Sequence, residues 1–130
     1  MGTRVEEVMT PDPLTLEPSG LVRDAYAMMK EKGFRHVPIV EGGELKGVIS
    51  MTDIGKLGAR IPEVLQMKIA DTMTTNLLTV EPNESVDVAA AKMASRKINC
   101  LPIVENGKLV GIVTTYDLLD ALARRLRGDE

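Results

Sequence analysis

The chain repeats itself with a fixed period of 64 residues. Residues 9–54 can be laid over residues 73–118 without a gap, and 18 of the 46 aligned pairs are identical. Self-similarity at one fixed spacing is the signature of a duplicated structural unit. Two copies of a small unit tend to pack about a pseudo-twofold axis, so anything built where they meet should occur in two related versions. The identical pairs include Met9/Met73, Thr10/Thr74, Pro38/Pro102, Gly47/Gly111 and Asp53/Asp117.

The length bounds the domain organisation. The 130 residues suffice for one ordinary domain or two very small ones. A unit of roughly 60 residues buries little surface alone, so we expect the two copies to share one core. Aromatic side chains are limited to Tyr26, Phe34 and Tyr116, so aliphatic residues and the eight methionines must fill that core. We divide the chain into residues 1–64, the first repeat with its connecting helix, and residues 65–130, the second repeat.

Composition argues against several classes of function. A net charge of −3 gives no reason to expect general nucleic-acid binding, which usually needs a basic surface. No apolar stretch approaches the roughly 20 residues that span a bilayer, and the first ten residues lack a signal-peptide core. The single Cys100 forms no internal disulfide and fits the reducing cytoplasm. One histidine and one cysteine cannot build a zinc site, and no glycine-rich phosphate loop is present, so we expect neither a metal nor a cofactor.

The first copy has the pattern β-α-β-β-α. Val22, Ala25, Tyr26 and Met29 form the apolar face of an amphipathic helix, which Gly33 ends. The flanking elements are a short strand at Pro13–Leu16, a strand at Phe34–Val40, a hairpin turn at Glu41–Glu44 and a returning strand at Leu45–Ser50. Thr52 and Asp53 are expected to cap the N-terminus of the next helix.

The second copy follows the same order. Its elements are a strand at Leu77–Val80, a helix through Val86 and Met93, a strand at Asn99–Val104, a turn at Glu105–Lys108, a strand at Leu109–Thr114 and a helix at Leu118–Leu126. The expected fold class is therefore α/β (α+β), with two β-α-β-β-α repeats packed with pseudo-twofold symmetry.

Two heptapeptides carry a resemblance to a known family. Gly47-Val-Ile-Ser-Met-Thr-Asp53 and Gly111-Ile-Val-Thr-Thr-Tyr-Asp117 resemble the motif of the CBS (cystathionine β-synthase) domain, which occurs in tandem pairs called Bateman modules. The openings Val8-Met-Thr-Pro11 and Thr72-Met-Thr-Thr75 also resemble the family, as do Arg35-His-Val-Pro-Ile-Val40 and Asn99-Cys-Leu-Pro-Ile-Val104. The resemblance covers about residues 5 to 126.

The resemblance implies a nucleotide-binding role. CBS pairs place two clefts between their sheets, and many bind AMP, ADP, ATP or S-adenosylmethionine there. In this family the motif Asp hydrogen-bonds the ribose hydroxyls, and the motif Ser or Thr contacts phosphate. By position, one cleft would combine Thr114 and Asp117 with Thr10, Thr15, Phe34, Arg35 and His36. The other would combine Ser50 and Asp53 with Thr74, Thr79, Ile98, Asn99 and Cys100.

The chemistry of the motif positions suits this task. An ionised Asp accepts from two adjacent hydroxyls, which is what a ribose diol offers. The same Asp stands at a helix start, where free N–H groups and the helix dipole favour anions. The competing interpretation is that Asp53 and Asp117 are only helix caps, each contributing on the order of 1 kcal/mol.

The two copies differ beside the middle proline. The first has Arg35 and His36 where the second has Asn99 and Cys100. Because Arg is a permanently charged phosphate binder, we expect the cleft to which Arg35 is assigned, that of Thr114 and Asp117, to favour a nucleotide more strongly. His36 could contact phosphate or simply pack without a ligand, and a catalytic role is disfavoured. Cys100 reads as a small buried apolar residue.

The leading hypothesis is a cytoplasmic regulatory module, not an enzyme, that binds adenine nucleotides, AMP first among them, and signals to an unidentified protein effector. Apolar stripes on the helices after Asp53 and Asp117 predict a homodimer through those helices. The alternatives are a structural interaction module with vestigial clefts, S-adenosylmethionine binding, and, with little support from the charge, nucleic-acid binding.

Overall fold

A computed structural model describes residues 2–128 and confirms the mixed helix-and-sheet class. Three short 3₁₀ turns lie at Val5–Glu7, Val64–Gln66 and Ile69–Asp71. None of the helices within residues 2–128 combines the length and apolar character that crossing a bilayer requires. The helices are α1 (Val22–Lys32), α2 (Met51–Arg60), α3 (Val86–Arg96) and α4 (Thr115–Arg127). The strands are β1 (Thr10–Pro11), β2 (His36–Glu41), β3 (Glu44–Ser50), β4 (Cys100–Glu105) and β5 (Lys108–Thr114).

The chain folds into two compact units whose limits differ from a division at residue 64. One, the continuous unit, is Leu14–Leu77. The other, the composite unit, joins Met1–Pro13 to Leu78–Glu130. Residues 3–11 and 67–75, 64 positions apart, are called the Met-Thr segments below. Each Met-Thr segment belongs to the unit that contains the other repeat's helices and hairpin.

The continuous unit is built on the β2–β3 hairpin. Its strands are antiparallel, and the register shifts between Ile39 and Val40. On one side Leu16 forms a single parallel bridge with Ile39, so the expected strand at residues 13–16 is reduced to one bridge. On the other side Thr74, from a Met-Thr segment, forms an antiparallel bridge with Val48. Helix α1 follows the short bridge, and α2 follows β3.

The composite unit repeats this arrangement with the β4–β5 hairpin. Val80 forms a parallel bridge with Ile103 on one side. On the other side strand β1 runs antiparallel to β5, with Thr10 opposite Ile112. The correspondence shows that the 64-residue sequence period is also the period of the strand pairings.

Most of the buried apolar side chains belong to one of two clusters, and the expectation of one shared core stays a prediction. Each cluster lies within one unit, and each takes one fully buried residue from a Met-Thr segment, Ile69 or Val5. Burying an aliphatic side chain of this size stabilises the fold by about 1.5–3 kcal/mol. The cluster of the continuous unit is Val22, Ala25, Met29, Val37, Ile39, Ile49, Ile54, Val64 and Ile69. That of the composite unit is Val5, Val80, Ala89, Met93, Leu101, Ile103 and Val113.

The helix ends show one expected and one unexpected residue. Gly33 ends α1 in the left-handed conformation, with a φ of 80°, as the sequence predicts. The equivalent residue after α3 is Lys97, with a φ of 56°. A side chain with a Cβ is disfavoured there by roughly 1 kcal/mol relative to glycine.

The expectation that Thr52 and Asp53 cap α2 is wrong in detail. Ser50 is the N-cap, and Asp53 is the third residue of the helix. Thr114 is likewise the N-cap of α4, which begins at Thr115 rather than at residue 118. The helix-capping role that the sequence assigned to the motif aspartates therefore belongs to Ser50 and Thr114.

Gly47 is the point at which a Met-Thr segment meets the hairpin of the continuous unit. A Cβ at Gly47 would lie 2.7 Å from Met73 Sδ and 2.8 Å from the carbonyl oxygen of Thr74. The neighbouring Val48 N–H donates to that same carbonyl oxygen at 3.0 Å, and Thr74 N–H donates back to the Val48 carbonyl at 2.9 Å. This close backbone pairing leaves no space for a side chain at residue 47.

Gly111 has the same role in the composite unit. Its Cβ would lie 2.5 Å from Met9 Sδ and 3.0 Å from the carbonyl oxygen of Thr10. Gly111 is buried within β5 and pairs with Pro11 of β1. The first residue of the heptapeptide motif is thus a packing requirement.

Alanine at Gly47 or Gly111 should therefore destabilise the protein. We expect each substitution to lower the free energy of unfolding by about 1–3 kcal/mol, because the Met-Thr backbone must move away from the strand. Chemical denaturation followed by circular dichroism measures it. Gly55→Ala is the control, because no atom lies within 4 Å of its Cβ position in α2. Alanine there should be neutral or stabilising. Wild-type stability in Gly47→Ala and Gly111→Ala would contradict this packing.

Candidate functional site

The candidate site of the continuous unit is the start of α2. Strand β3 ends at Ser50, whose Oγ accepts a hydrogen bond from Asp53 N–H at 3.0 Å. Both side chains are half-buried. The first turn of a helix presents unpaired N–H groups and the positive end of the dipole, which together favour an anion.

The Asp53 carboxylate makes no hydrogen bond and no ion pair with any group in residues 2–128. Its main-chain N–H is satisfied by Ser50, so only half of a reciprocal cap is present. A half-buried carboxylate at a helix start can accept several hydrogen bonds from a ligand. The capping interpretation therefore accounts for the Asp53 backbone but not for its side chain.

The equivalent pair in the composite unit is a complete reciprocal cap. Thr114 Oγ1 accepts from Asp117 N–H at 3.3 Å. Thr114 N–H donates to Asp117 Oδ2 at 2.9 Å, and the Thr114 hydroxyl donates to the same oxygen at 3.1 Å. This is the capping-box arrangement, which satisfies two helix-start donors at once. Asp117 Oδ2 is thus used within the helix start, whereas Oδ1 makes no hydrogen bond within residues 2–128.

Arg35 borders the Asp53 site. Its carbonyl accepts from Met51 N–H at 2.9 Å, which ties the start of α2 to the residue before β2. Its guanidinium Nη2 lies 3.5 Å from Thr52 Oγ1, and the side chain is exposed. A forked, permanently charged donor therefore stands at the edge of this helix start.

His36 lies directly across the hairpin from Ser50. Burial and the neighbouring Arg35 lower the pKa of the imidazole below 6.5, while the Asp53 carboxylate acts in the opposite direction. Because the folded pKa is lowered, the ring is mostly uncharged at neutral pH and offers one donor and one acceptor.

Asn99 and Cys100 border the Asp117 site. The Asn99 carbonyl accepts from Thr115 N–H at 3.1 Å, and its side-chain oxygen accepts from the Thr115 hydroxyl at 3.2 Å. Cys100 lies across the hairpin from Thr114. Burial, and to a smaller extent the charge of Asp117, raise the pKa of the Cys100 thiol to about 12. A protonated thiol is a poor nucleophile and a poor metal ligand.

The fourteen candidate residues divide between the two units. Thr10 lies in the unit of Thr114 and Asp117, and Thr74 lies in that of Ser50 and Asp53. Both were assigned to those partners from the sequence. The remaining residues that the sequence assigned to a motif lie in the unit that does not contain that motif. The continuous unit carries Thr15, Phe34, Arg35, His36, Ser50, Asp53 and Thr74, and the composite unit carries Thr10, Thr79, Ile98, Asn99, Cys100, Thr114 and Asp117.

The sequence reasoning missed two positions on the helices that follow the motifs. Lys56 lies three residues after Asp53, and Asp120 lies three residues after Asp117. Residues spaced by three share a helix face, so each belongs to the surroundings of its motif aspartate. Lys56 and Asp120 occupy equivalent positions in the two copies and have opposite charges, which a comparison of the copies beyond the motif would have shown. Within residues 2–128 no group of three His, Cys, Asp or Glu side chains could hold a metal ion.

Comparisons with known proteins agree with this architecture. The sequence profile of the CBS domain matches residues 5–58 and again residues 69–124. The CBS domain-containing protein YhcV of Bacillus subtilis is 34% identical over 114 residues, which cover 88% of this chain and 81% of YhcV. The chain therefore belongs to the CBS domain family and carries two copies of the domain.

Two solved structures are similar over nearly the whole chain. The CBS domain pair of protein MJ0100, in complex with 5′-methylthioadenosine and S-adenosyl-L-methionine, has a TM-score of 0.87 and 28% identity, covering 96% of this chain and 99% of that one. CBSX2 in complex with AMP has a TM-score of 0.81 and 29% identity, covering 95% and 98%. Both similar proteins were thus captured with adenosine compounds.

The two helix starts should differ in how much their aspartates stabilise the fold. Asp117→Ala removes an acceptor of two hydrogen bonds and should cost about 1–2 kcal/mol, lowering the melting temperature by several degrees. Asp53→Ala removes a carboxylate with no hydrogen-bonding partner and should stay within about 0.5 kcal/mol of the wild type. Differential scanning calorimetry of ligand-free protein compares them. Equal losses would contradict the difference between the two caps.

Proposed function

We propose that this protein is a regulatory module that binds adenine nucleotides, AMP foremost and also ADP or ATP, at the helix start that carries Asp53. The observation that carries the proposal is the unengaged Asp53 carboxylate, half-buried at the N-terminus of α2 with Ser50 and Arg35 beside it. The half-buried carboxylate can accept hydrogen bonds from the ribose diol of a nucleotide, and the donors of Ser50 and Arg35 can bind its phosphate.

Each group at this helix start has a chemical task in nucleotide binding. The Asp53 carboxylate would accept from both ribose hydroxyls, because an ionised acid offers about four lone-pair directions. The phosphate would take donors from the Ser50 hydroxyl, the free amides of α2 and Arg35. His36 would add a neutral donor, and Phe34, Thr15 and the Met-Thr segment near Thr74 would border the base.

The similar structures support the class of ligand. One of them holds AMP and the other holds 5′-methylthioadenosine and S-adenosyl-L-methionine. All three share adenosine and differ in what is attached to its 5′ carbon. We propose the phosphate-bearing ligand for this chain because Arg35 is a charged donor at the Asp53 site.

The contacts within each unit favour Asp53 over Asp117, the reverse of the order expected from the sequence. Arg35 and His36 border Ser50 and Asp53 in the continuous unit. Asp117 already accepts two hydrogen bonds from Thr114, so part of its acceptor capacity is used.

The proposed role is regulation in the cytoplasm, with no catalysis by this chain. A ligand that binds one conformation more tightly shifts the population toward it, and an effector protein would respond to that shift. The cytoplasmic assignment rests on Cys100, the single cysteine, which is unpaired.

One surface favours self-association. Helix α4 exposes Tyr116, Leu119, Leu122 and Leu126 to solvent by 73%, 60%, 52% and 78%. Their spacing of three to four residues puts them on one side of the helix. In α2, by contrast, Ile54 is buried and Leu57 packs against the core of its own unit. We therefore propose a homodimer in which α4 contributes the larger share of the apolar contact.

Titration calorimetry on protein freed of bound ligand tests nucleotide binding. We expect AMP to bind, and Asp53→Ala to weaken AMP binding by about 10- to 100-fold, the loss of charge-assisted hydrogen bonds worth roughly 1.5–3 kcal/mol. Asp117→Ala should have the smaller effect.

The matched control is Glu31→Ala, which removes an exposed carboxylate of α1. The titration panel includes ADP, ATP and S-adenosylmethionine, so that a different preferred adenosine ligand is detected. If none of these compounds gives heat or raises the melting temperature, the chain is an interaction module with vestigial sites.

Sedimentation velocity tests the homodimer. Wild-type protein should sediment as a dimer, and Leu119→Glu combined with Leu126→Glu should give a monomer with unchanged helix content, because two charges interrupt the apolar face. Val88→Glu, at a 42% exposed residue of α3, is the control and should remain dimeric. A monomeric wild type would refute the proposal.

A further inference from the structure

We propose that the two helix starts accept adenosine ligands of different charge. The Ser50–Asp53 site takes a nucleoside phosphate, whereas the Thr114–Asp117 site takes an adenosine derivative without a phosphate, either neutral or cationic. This inference rests on the proposed adenosine binding and assigns a ligand class to each site.

The first observation concerns the residue that touches the first turn of each helix. At the Asp53 site it is Arg35, whose guanidinium reaches Thr52. At the Asp117 site it is Asn99, whose side-chain oxygen accepts from the Thr115 hydroxyl. The two residues occupy equivalent positions, so a permanent cation is exchanged for a neutral amide that presents an acceptor.

The second observation is the residue across each hairpin from the N-cap. His36 lies opposite Ser50, and Cys100 lies opposite Thr114. An imidazole provides a strong donor to a phosphate oxygen, whereas a protonated, half-buried thiol is only a weak donor. The exchange again removes a phosphate-binding group from the Asp117 site.

The third observation is the reversal of charge one turn into each helix. Lys56 follows Asp53 by three residues and is exposed. At the equivalent position Asp120 follows Asp117, and its carboxylate pairs with Arg124 Nε at 3.1 Å. The first two turns of α4 therefore carry two carboxylates, one of them paired with Arg124, where those of α2 carry one carboxylate and one ammonium.

An exchange near Asn99 goes the other way and adds a cation to the second copy. Lys97 replaces Gly33, two residues before Asn99, and its side chain is exposed at the end of α3. An exposed lysine can approach a ligand near Asn99, so the experiment includes a variant that removes this charge.

These differences change which 5′ substituent each site favours, but they leave the acceptor for the ribose diol in place. Asp117 keeps Oδ1 for a diol, since Oδ2 is the oxygen that Thr114 uses. A phosphate placed beside this carboxylate without a neighbouring cation is repelled, because like charges at close range destabilise each other. A methylthio group carries no charge, and a sulfonium group is attracted to the carboxylates.

Calorimetry with AMP and 5′-methylthioadenosine tests the assignment. Wild-type protein should bind one AMP per chain, and AMP-saturated protein should still bind one 5′-methylthioadenosine. Arg35→Asn should weaken AMP binding at least about tenfold, equivalent to about 1.4 kcal/mol. It should leave unchanged the affinity for 5′-methylthioadenosine of the Asp117 site, which AMP does not occupy. Asn99→Arg should create a second AMP site. Each variant installs the residue found in the other copy, at an exposed position.

Four further variants test which residues form each site. Asp53→Ala should weaken AMP binding by about 10- to 100-fold, and Asp117→Ala should weaken by a similar factor the 5′-methylthioadenosine binding that persists in AMP. Arg60→Asn, at the far end of α2, is the control for net charge and should bind AMP as the wild type does. Lys97→Gly should not change binding of either compound.

Each contrary result has a distinct meaning. Two equal AMP sites in the wild type, an unchanged AMP affinity in Arg35→Asn, or no second AMP site in Asn99→Arg would overturn the division by charge while leaving adenosine binding intact. A weaker AMP titration in Lys97→Gly would also overturn it, because Lys97 would then supply a phosphate-binding cation near the Asp117 site. No binding of either compound to the wild type would instead refute the proposed function itself.

Discussion

The approach of a Met-Thr backbone to a buried glycine is the contact on which each unit depends. At Gly47 the carbonyl of Thr74 comes within 2.8 Å of where a Cβ would stand, while it also accepts from Val48 N–H. A β-bridge with two hydrogen bonds requires this distance, and any side chain at the glycine would prevent it. Strand β3 therefore pairs with the Met-Thr segment only because Gly47, the first residue of the motif, has no side chain.

A second contact holds each Met-Thr segment at its other end. Val5 is fully buried in the core of the composite unit, and its N–H donates to Glu84 O at 2.8 Å. Ile69 does the same in the continuous unit, where its N–H donates to Gly20 O at 2.8 Å. Each segment is thus fixed by an apolar side chain in the core and by a backbone pair at the glycine. The segment that precedes one repeat thereby completes the other.

The sequence predicted the class of fold and most element types well, because the information for them is local. The apolar period of α1, the left-handed residue Gly33 and the paired hairpins all depend on neighbours within a few residues. The unit boundaries were not predictable in this way. They depend on the packing of Val5 and Ile69, residues distant along the chain from the hairpins that they support, and periodicity carries no information on such partners.

For the site, sequence reasoning identified the motif residues but not how their hydrogen bonds are distributed. The sequence predicts that Ser50 and Thr114 contact the ligand, and in the structure both residues are helix N-caps. Which acceptor of an Asp is used depends on side-chain rotamers that two similar heptapeptides need not share. The capping box at Asp117 and its half-formed counterpart at Asp53 could therefore not be distinguished from spacing alone.

The two caps illustrate how a duplicated motif can separate stability from binding. A carboxylate oxygen that accepts from a helix-start N–H and a hydroxyl stabilises the helix, but it has less capacity left for a ligand. In a single copy the same Asp would have to serve both purposes. With two copies, Asp117 retains the full cap, while Asp53 retains an unengaged carboxylate beside a cation. The identical residues maintain the fold of both units, and the divergent neighbours Arg35 and Asn99 are the basis on which the proposed ligands differ.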